Sequence, residues 1–340
     1  MATTSTTLTS WALLIWKALI NHGVDAHTVF KQVGLDPGKL GDGNARYRLA
    51  DMYKLWDVAV EVTQNPCFGL NVGKLWTPTT FHALGFAWLA SHTLNDALQR
   101  FVRYSRIVNN SLSAALEEHG MQLILTLSSS EDARYIHYAA IDASTAAILV
   151  MCRFLCGPDF SPLELYSVRQ RSNCADSLDQ FVGIPIIYNS ASNQVIFDRI
   201  RAEQRLATGN SELSKVNEAV AMKYLISIDR SSTVMLVKST LVELLPTGQV
   251  TEELVANALN MSLRTLQRKL TDEGTTFGAL YQTLRQEMAQ QYIHDSQMSM
   301  TEIAYLLGFS EQSNFTRAFR RWYGTSPTEA RENIKKSAFV

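Results

Sequence analysis

The sequence predicts two folded domains, an α+β domain followed by a smaller all-α domain. Its 340 residues suffice for roughly two domains of about 150 residues each. Up to residue 207, segments with helical periodicity and segments with strand periodicity are mixed, whereas from residue 233 onward every periodic segment is helical. Hydrophobic residues make up 46% of the chain, which is typical of globular domains and argues against a disordered or fibrous protein.

The first domain is predicted to begin with helices and to acquire strands after residue 111. The predicted helices cover residues 11–22, 25–33, 49–63, 81–90, 94–107 and 138–155. The predicted strands are 112–116 and 121–127, which form a β-hairpin around 117–120, and then 163–169, 184–188 and 194–197. The most apolar segment, 143–152, is bounded by Asp142 and Arg153, and its length suits a buried helix rather than a membrane span.

A polar segment of ambiguous periodicity, residues 208–232, separates the two domains. We interpret it as a linker, which leaves residues 1–207 as the first domain and 233–340 as the second. The second domain contains an internal repeat: the pattern V-A-x-x-L-N-M-S at 255–262 recurs as I-A-x-x-L-G-F-S at 303–310, an offset of 48 residues.

Each copy of the repeat predicts a helix-turn-helix motif. The apolar-faced helix ends at a residue that tolerates the left-handed conformation, Asn260 or Gly308. The serine two residues later, Ser262 or Ser310, is predicted to cap the next helix, because its hydroxyl can accept a hydrogen bond from an unpaired backbone N–H. Two such motifs in tandem are far less expected by chance than one.

The second helix of each motif has an apolar face and a polar face. The apolar faces consist of Leu263, Leu266 and Leu270 in the first motif and of Phe315, Ala318, Phe319 and Trp322 in the second. The polar faces consist of Arg264, Thr265, Gln267, Arg268 and Lys269 in the first and of Gln312, Ser313, Asn314, Thr316, Arg317, Arg320 and Arg321 in the second. Any surface helix carries polar residues, but Arg, Gln and Asn can bond to base edges, and Ser, Thr, Lys and Arg to phosphates. Both helices therefore favour a DNA-binding function.

The segment 237–331 resembles the DNA-binding domain of AraC-type transcription regulators. The resemblance is carried by the two repeat patterns together with L-L-P-T-G at 244–248, M-S-x-R-T-L-Q-R-x-L at 261–270, E-G-T-x-F at 273–277, L-R-x-E-x-A at 284–289, F-x-R-A-F-x-R-W at 315–322 and G-x-S-P at 324–327. It implies two subdomains joined by a long helix over 277–294, about 25 Å long at 1.5 Å per residue. Such a helix can set two recognition helices in successive major grooves, which lie about 34 Å apart.

The same resemblance implies which residues face double-stranded DNA. Carried over to this chain, they are Arg264, Thr265, Gln267, Arg268, Gln312, Ser313, Asn314, Thr316 and Arg317. All nine belong to the polar faces deduced from helical periodicity alone. The pattern leaves open which of them contact bases rather than phosphates.

The first domain more loosely resembles the ligand-binding domain of the arabinose-binding-like branch of these regulators. The resemblance is carried by P-x-F-G-L at 66–70, L-G-x-A at 84–87, T-L-x-x-A-L at 93–98, Tyr104 and the predicted hairpin. It implies a small-molecule effector, a homodimer and, as the commoner behaviour, activation of transcription, with RNA polymerase as a candidate partner. The alternative is an effector-independent regulator controlled by dimerisation or by a protein partner.

The sequence indicates less about a pocket for the effector than about any other feature. Its candidate lining residues are the aromatic residues Trp11, Trp16, Trp56, Trp76, Trp88, Phe81 and Phe86. An aromatic lining suits an apolar or amphipathic ligand, although aromatic residues at helical spacing are more often part of the core. Candidate histidines that would orient the ligand are His82, His92 and His137, although a surface histidine or one satisfied within the core is the commoner role for each. The sequence names neither the effector nor the operator.

Charge and motif content bound the other function classes. The net charge is −1, and residues 251–340 contain ten basic and ten acidic residues, so we expect modest non-specific DNA affinity. No nucleophile-elbow or phosphate-loop pattern occurs, so we expect no catalytic residues and no cofactor, against the alternative of an enzyme fused to a DNA-binding tail. We expect all four cysteines to be reduced, with Cys152 and Cys156 as buried thiols rather than metal ligands, and we expect no metal site. We also expect a soluble cytoplasmic protein without a membrane segment.

Overall fold

The computed structural model describes residues 5–130, 136–228, 233–293 and 298–337. The chain divides into two compact units, Met1–Ala221 and Met222–Val340. The first unit mixes helices and strands and the second is helical, as the periodicity predicts.

The described residues of the first unit form ten α-helices, and the last of them continues past the unit boundary. Its helices are α1 (Thr9–Asn21), α2 (Ala26–Gln32), α3 (Leu49–Thr63), α4 (Phe68–Lys74), α5 (Ala83–Leu89), α6 (Leu94–Tyr104), α7 (Tyr138–Cys156), α8 (Ala175–Val182), α9 (Arg199–Glu203) and α10 (Ser211–Ile228). The six helices predicted for this region are present, with ends shifted by a few residues. The periodicity analysis missed α4, α8 and α9, which are each eight residues or shorter and therefore too short to establish a helical period.

The strands of the first unit form two antiparallel sheets. They are β1 (Thr6–Leu8), β2 (Arg46–Arg48), β3 (Leu112–His119), β4 (Gln122–Ser129), β5 (Glu164–Tyr166) and β6 (Asn193–Asp198). Strands β1 and β2 pair with each other, and the other four pair in the order β3-β4-β6-β5.

The predicted β-hairpin is confirmed: it is formed by β3, at one edge of the larger sheet, and β4 beside it. Its register runs from Leu112 opposite Ser129 to His119 opposite Gln122, so the turn is tighter than predicted and uses Gly120 at φ 60°. Leu123 and Leu125 alternate with less buried residues along β4 and are fully buried, so one face of the sheet covers the core.

The predicted strand at 184–188 is wrong. Only a single bridge joins Ile187 to Tyr166 in this segment. Instead, the carboxylate of Asp179 accepts hydrogen bonds from the backbone N–H of Ile186 (3.2 Å) and from the hydroxyl of Tyr188 (3.0 Å), which holds the segment against α8. A segment held in this way can show the same residue pattern as a strand, so the sequence alone does not distinguish the two.

Helix α4 packs closely against α7. A Cβ atom at Gly69 would lie 2.2 Å from the backbone oxygen of Ala139, and one at Gly73 would lie 2.4 Å from that of Ala143. Glycine at these two positions therefore sets how near the two helices approach. Half of the most apolar window of α7 is buried, although its length and composition alone would also suit a membrane span.

The expectation of four reduced cysteines is wrong, because Cys67 and Cys174 form a disulfide across 107 residues of sequence. It links the start of α4 to the start of α8, two segments whose proximity only the folded chain reveals. Cys152 is a buried free thiol whose pKa burial raises well above its usual value, and Cys156 is a half-buried free thiol.

The second unit is built from helices around one apolar core. They are α11 (Thr233–Leu244), α12 (Glu252–Ala258), α13 (Leu263–Asp272), α14 (Phe277–Ile293), α15 (Met300–Leu306), α16 (Gln312–Tyr323) and α17 (Pro327–Ser337). Buried residues of α11 through α16, including Leu241, Leu266, Ile303 and Phe315, form a single cluster, so both helix-turn-helix motifs share one core. Most of the segment interpreted as a linker, 208–232, lies in α10.

Candidate functional site

The first helix-turn-helix motif consists of α12 and α13. The turn between them passes through Asn260 at φ 54°, the left-handed conformation that the pattern predicts. Ser262 caps α13 by accepting a hydrogen bond from the backbone N–H of Thr265 at 3.2 Å, and its hydroxyl lies 2.8 Å from that of Thr265. The predicted cap is confirmed, and it fixes the end of α13 that carries the candidate DNA contacts.

The second motif consists of α15 and α16, and its turn passes through Gly308 at φ 71°. A Cβ atom on Gly308 would lie 2.9 Å from the backbone oxygen of Leu245, so the turn packs directly against the chain that follows α11. Ser299 and Glu302 form a capping box at the start of α15, with the carboxylate of Glu302 accepting from the Ser299 N–H at 2.7 Å.

The prediction that Ser310 caps α16 is wrong. Helix α16 begins one residue later than expected, and its N-cap residue is Glu311, whose side chain makes no capping hydrogen bond. The Ser310 hydroxyl accepts instead from the side-chain amide of Asn314 at 3.3 Å. The two copies of the repeat therefore share their turn but not their cap.

The apolar faces of α13 and α16 point into the core. Leu266 and Leu270 of α13 are buried, and so are Phe315, Ala318 and Phe319 of α16. Rings of Phe309 and Trp322 lie 6.2 Å apart, centroid to centroid, on the same side of α16. With one face buried, only the opposite face of each helix is available to a partner.

The polar face of α13 is accessible. Arg264, Gln267 and Arg268 are exposed and Thr265 is half-buried. The side-chain amide of Gln267 donates to the carboxylate of Glu252 at 3.1 Å. Within the described part of the chain, the guanidinium groups of Arg264 and Arg268 have no hydrogen-bond or ion-pair partner. Both cations are thus available to an anionic or acceptor-rich ligand.

The polar side chains of α16 are instead engaged with one another and with neighbours. Gln312, Ser313 and Arg317 are exposed, whereas Asn314 and Thr316 are half-buried. The guanidinium of Arg317 donates to the side-chain oxygen of Asn314 at 2.6 Å. The amide oxygen of Gln312 accepts from the hydroxyl of Thr301 on α15 at 2.8 Å, so Gln312 and Arg317 each already have a partner within the protein.

The long helix α14 connects the two motifs. Its 17 residues span about 25 Å, and the last residue of the predicted range, His294, lies outside the described residues. The guanidinium of Arg285 on α14 lies 3.6 Å from the ring centroid of Phe309 and 4.9 Å from that of Tyr281, and burial lowers its pKa. This buried cation–π contact holds α14 against the turn of the second motif.

Two charged residues that the sequence analysis did not single out cap helices of this unit. The carboxylate of Glu273 accepts from the backbone N–H groups of Thr233 (2.6 Å) and Val234 (3.1 Å) at the start of α11. The guanidinium of Arg331 donates to the backbone oxygen of Ile293 (3.0 Å), the last residue of α14, and to that of Met298 (2.6 Å), which lies just before α15. Each charge has the sign that complements its helix end, but the partners are about 40 residues away and no local spacing indicates them.

The first unit contains a cavity of about 180 Å³ between α3, α7 and one end of the larger sheet. Trp11, Trp56 and Phe81 line it, as proposed for a pocket, while the other four candidate aromatics lie elsewhere. None of the three candidate histidines is among the described lining residues of this cavity, so their role in orienting a ligand stays a prediction. His137 caps α7 by accepting a hydrogen bond from the backbone N–H of Ala139 at 3.1 Å. The pKa of His82 is lowered, mainly by burial and also by the nearby charge of Arg46.

The fold and these sites define a class: a protein with tandem helix-turn-helix motifs on a shared core and a separate α+β unit that encloses a cavity. The family model for the arabinose-binding N-terminal domain of AraC transcription regulators matches residues 23–206, and that for a helix-turn-helix domain matches residues 255–333. The chain therefore belongs to the AraC family of DNA-binding transcription regulators, with the family's ligand-binding domain at its N-terminus.

The chain is also similar to individual proteins. The chain is 25% identical over 325 residues to the ornithine utilization regulator of Pseudomonas aeruginosa, a match that covers 95% of each chain. It is 43% identical over 88 residues to the regulator VirS of Mycobacterium tuberculosis, a match that covers 26% of each chain. The crystal structure of the transcriptional regulator CdpR from Pseudomonas aeruginosa is similar at 20% identity and a TM-score of 0.47, covering 94% of this chain and 98% of that one. The ornithine utilization regulator and VirS are transcription regulators by name rather than enzymes.

Proposed function

We propose that this protein is a cytoplasmic, effector-controlled activator of transcription that binds its operator as a homodimer. The observation that carries the DNA-binding part is the pair of helices α13 and α16, each anchored by a buried apolar face and each presenting Arg and Gln side chains on the opposite face. Such side chains can make paired hydrogen bonds to bases in the major groove.

The proposed DNA contacts are the nine residues carried over from the family. They are Arg264, Thr265, Gln267 and Arg268 on α13, and Gln312, Ser313, Asn314, Thr316 and Arg317 on α16. The unpaired cations Arg264 and Arg268 suit flexible contacts to phosphates or guanine edges, and the pre-aligned Arg317–Asn314 pair suits a defined base pair. Each monomer would then occupy two successive major grooves.

We assign sensing and dimerisation to residues 1–207, connection to 208–232 and DNA binding to 233–340. A continuous set of contacts supports control by an effector. Phe101 of α6 lines the cavity, and its neighbour on α6, Arg100, places its guanidinium 3.1 Å from the carboxylate of Glu218 on α10. Because α10 leads directly into the second unit, movement of α6 upon ligand binding would reach the connecting segment. Coupling of about 1–3 kcal/mol is typical of such regulators.

The homodimer is supported by an exposed apolar stripe on α10. Leu213, Val216 and Val220 are 56%, 63% and 52% exposed, and their spacing of three and four residues places them along one side of the helix. This is the spacing of a two-helix seam, which a second copy of α10 would cover. RNA polymerase is the partner that activation requires, and we assign no membrane partner.

Genome-wide mapping of binding sites in the native cell tests this function directly. The wild-type protein should occupy a small set of sites that contain paired half-sites, and the double variant Arg268→Ala/Arg317→Ala should lose them. Expression of the neighbouring genes should fall when the protein is deleted. Occupied sites without any change in expression would contradict the activator role, and unchanged occupancy by the double variant would contradict the assigned contacts.

A matched variant separates effector control from the effector-independent alternative. Glu218→Gln removes the charge that pairs with Arg100 while leaving every proposed DNA contact in place. The effector-controlled account predicts unchanged operator affinity without effector and a reduced response to it. A regulator controlled by dimerisation alone would show the same response in Glu218→Gln and wild type.

A further inference from the structure

The cavity of the first unit has walls of two kinds. Its apolar lining consists of buried aromatic and aliphatic side chains, among them Met52, Trp56, Phe81 and Phe101. Its polar lining consists of two amides, Asn109 and Asn193, at one end of the larger sheet, and of the hydroxyl-bearing residues Thr7, Tyr53, Ser128, Ser129, Ser144 and Thr145. None of the lining side chains in the described part of the chain carries a charge.

The two asparagines turn their amide N–H₂ groups away from the backbone. The side-chain oxygen of Asn193 accepts from the backbone N–H of Val168 at 3.1 Å, and that of Asn109 accepts from the backbone N–H of Ser111 at 2.9 Å. A backbone N–H can only donate, so the atom facing it must be the oxygen, and the orientation of each amide is settled. Each N–H₂ remains a donor without a hydrogen-bond partner among the described residues.

From these walls we infer that the effector is a small neutral molecule with an apolar body and an acceptor oxygen, such as a carbonyl, at one end. This inference rests on the proposed effector control and names the ligand class of the same cavity. The apolar body would lie against Trp56 and Phe101, and the acceptor oxygen would receive hydrogen bonds from Asn193 and Asn109.

Size and charge narrow the class further. An apolar cavity of roughly 150 Å³ holds a benzene-sized molecule, so about 180 Å³ suits a ligand on the order of ten non-hydrogen atoms. An ionised carboxylate or ammonium would lose its hydration against these walls without gaining a counter-charge. Eight lining residues carry a hydroxyl or an amide, but most of the lining surface is apolar, so a pentose would still bury hydroxyls against aliphatic and aromatic side chains.

A panel of matched compounds tests the ligand class by calorimetric titration of the full chain. Acetophenone has the proposed chemistry, ethylbenzene lacks the acceptor, benzoate and benzylamine add a negative or positive charge, and arabinose is the polyol. We expect acetophenone to bind at least tenfold more tightly than benzoate, benzylamine and arabinose, and more tightly than ethylbenzene. Tighter binding of a charged compound or of arabinose, or no binding by any member up to its solubility limit, would overturn the inference.

The substitution Asn193→Asp tests the site. It keeps an oxygen for the N–H of Val168 but replaces the donor N–H₂ with an acceptor oxygen. We expect acetophenone to bind at least tenfold more weakly, benzylamine more tightly, and ethylbenzene within twofold of wild type. The control is Asn21→Asp, which makes the same charge change at an exposed residue of α1 and should leave all three affinities unchanged. Wild-type affinity of Asn193→Asp for acetophenone would overturn the site.

A second variant, Ala140→Leu, covers the case in which Asn193→Asp does not fold. Ala140 lines the cavity from α7, and a leucine there would fill part of it, so binding of both acetophenone and ethylbenzene should be lost. Retained binding would place the ligand elsewhere and overturn the inference.

The outcomes distinguish the ligand class from the effector control on which it rests. Acetophenone binding without any change in operator affinity would reject the effector control and leave the ligand class standing. An operator affinity that responds to a different, charged metabolite would reject the ligand class and leave the effector control standing.

Discussion

The two helix-turn-helix motifs share a sequence pattern and a turn but solve their local packing differently. In the first, Asn260 makes the turn in open surroundings and Ser262 caps the recognition helix. In the second, the turn at Gly308 packs against Leu245, and α16 begins at Glu311 without a side-chain cap. A repeated pattern therefore fixes the path of the backbone, while the contacts that stabilise it are particular to each copy.

The polar faces differ in the same way. Among the described residues, Arg264 and Arg268 of α13 have no partner, whereas Arg317 of α16 is held by Asn314. A glutamine is paired on each helix, Gln267 with Glu252 and Gln312 with Thr301. Side chains that are already aligned lose less conformational entropy on binding, so we expect the second motif to contribute more to sequence discrimination and the first to tolerate more operator variation.

The largest expected difference between the motifs lies at their turns. Gly308→Ala places a Cβ atom against the backbone oxygen of Leu245 in a strained conformation, and we expect it to destabilise the second motif by about 3 kcal/mol. Asn260→Ala has only the conformational strain and should cost about 1 kcal/mol. Hydrogen–deuterium exchange of α15 and α16 against α12 and α13 in the full chain measures both. Equal costs would show that the turns are equivalent after all.

Next in size are the two arginines at the centres of the polar faces. Arg268→Ala and Arg317→Ala should each lower operator affinity by about 1–3 kcal/mol if the side chain contacts a base, with relaxed preference at one operator position. Because Asn314 holds Arg317, Asn314→Ala should reproduce part of the loss of operator affinity caused by Arg317→Ala. We expect no such effect for Arg268. Binding selections on randomised operators measure both quantities.

The control for these variants is Arg205→Ala, which removes an exposed arginine from the first unit and should leave operator affinity unchanged. Uniform weakening across all operator sequences would identify the altered arginine as a phosphate contact. Complete specificity loss from Arg268→Ala, with none from Arg317→Ala, would reverse the proposed ranking of the motifs.

The smallest expected difference concerns the serines at equivalent positions of the repeat. Ser262→Ala removes a cap and should cost about 1 kcal/mol in the stability of α13. Ser310→Ala removes only a 3.3 Å hydrogen bond from Asn314 and should change the stability of α16 by less than about 0.5 kcal/mol. Amide exchange at the first turn of each helix provides the comparison, and a larger effect at Ser310 would restore the symmetric interpretation.

Most of the fold follows from periodicity, and what escapes prediction depends on contacts between distant segments. The repeat predicts the left-handed turns at Asn260 and Gly308, since few residues other than Asn and Gly adopt that conformation without strain. The pairing of Thr6–Leu8 with Arg46–Arg48 and the Cys67–Cys174 disulfide join segments about 40 and 107 residues apart, and three-residue strands or isolated cysteines carry no sign of their partners.

The candidate sites likewise differ in how far the sequence predicts them. The polar faces of α13 and α16 are determined by helical spacing, because the buried leucines and phenylalanines fix which side remains outside. The cavity is determined by tertiary packing, so composition selected Trp11, Trp56 and Phe81, which line it, together with four aromatic residues that do not. It gave no reason to select Asn109 and Asn193. Those two become recognisable only when the structure shows their oxygens committed to backbone N–H groups.

The central claim is that both recognition helices of one monomer contact DNA, in successive major grooves. Methylation-interference footprinting of the full chain on its operator, with wild type, Arg268→Ala and Arg317→Ala, tests it most directly. We predict two groups of interfering guanines per monomer, about 10 base pairs apart on one side of the duplex, with each substitution abolishing a different group. A single group, or the same group abolished by both substitutions, would contradict it.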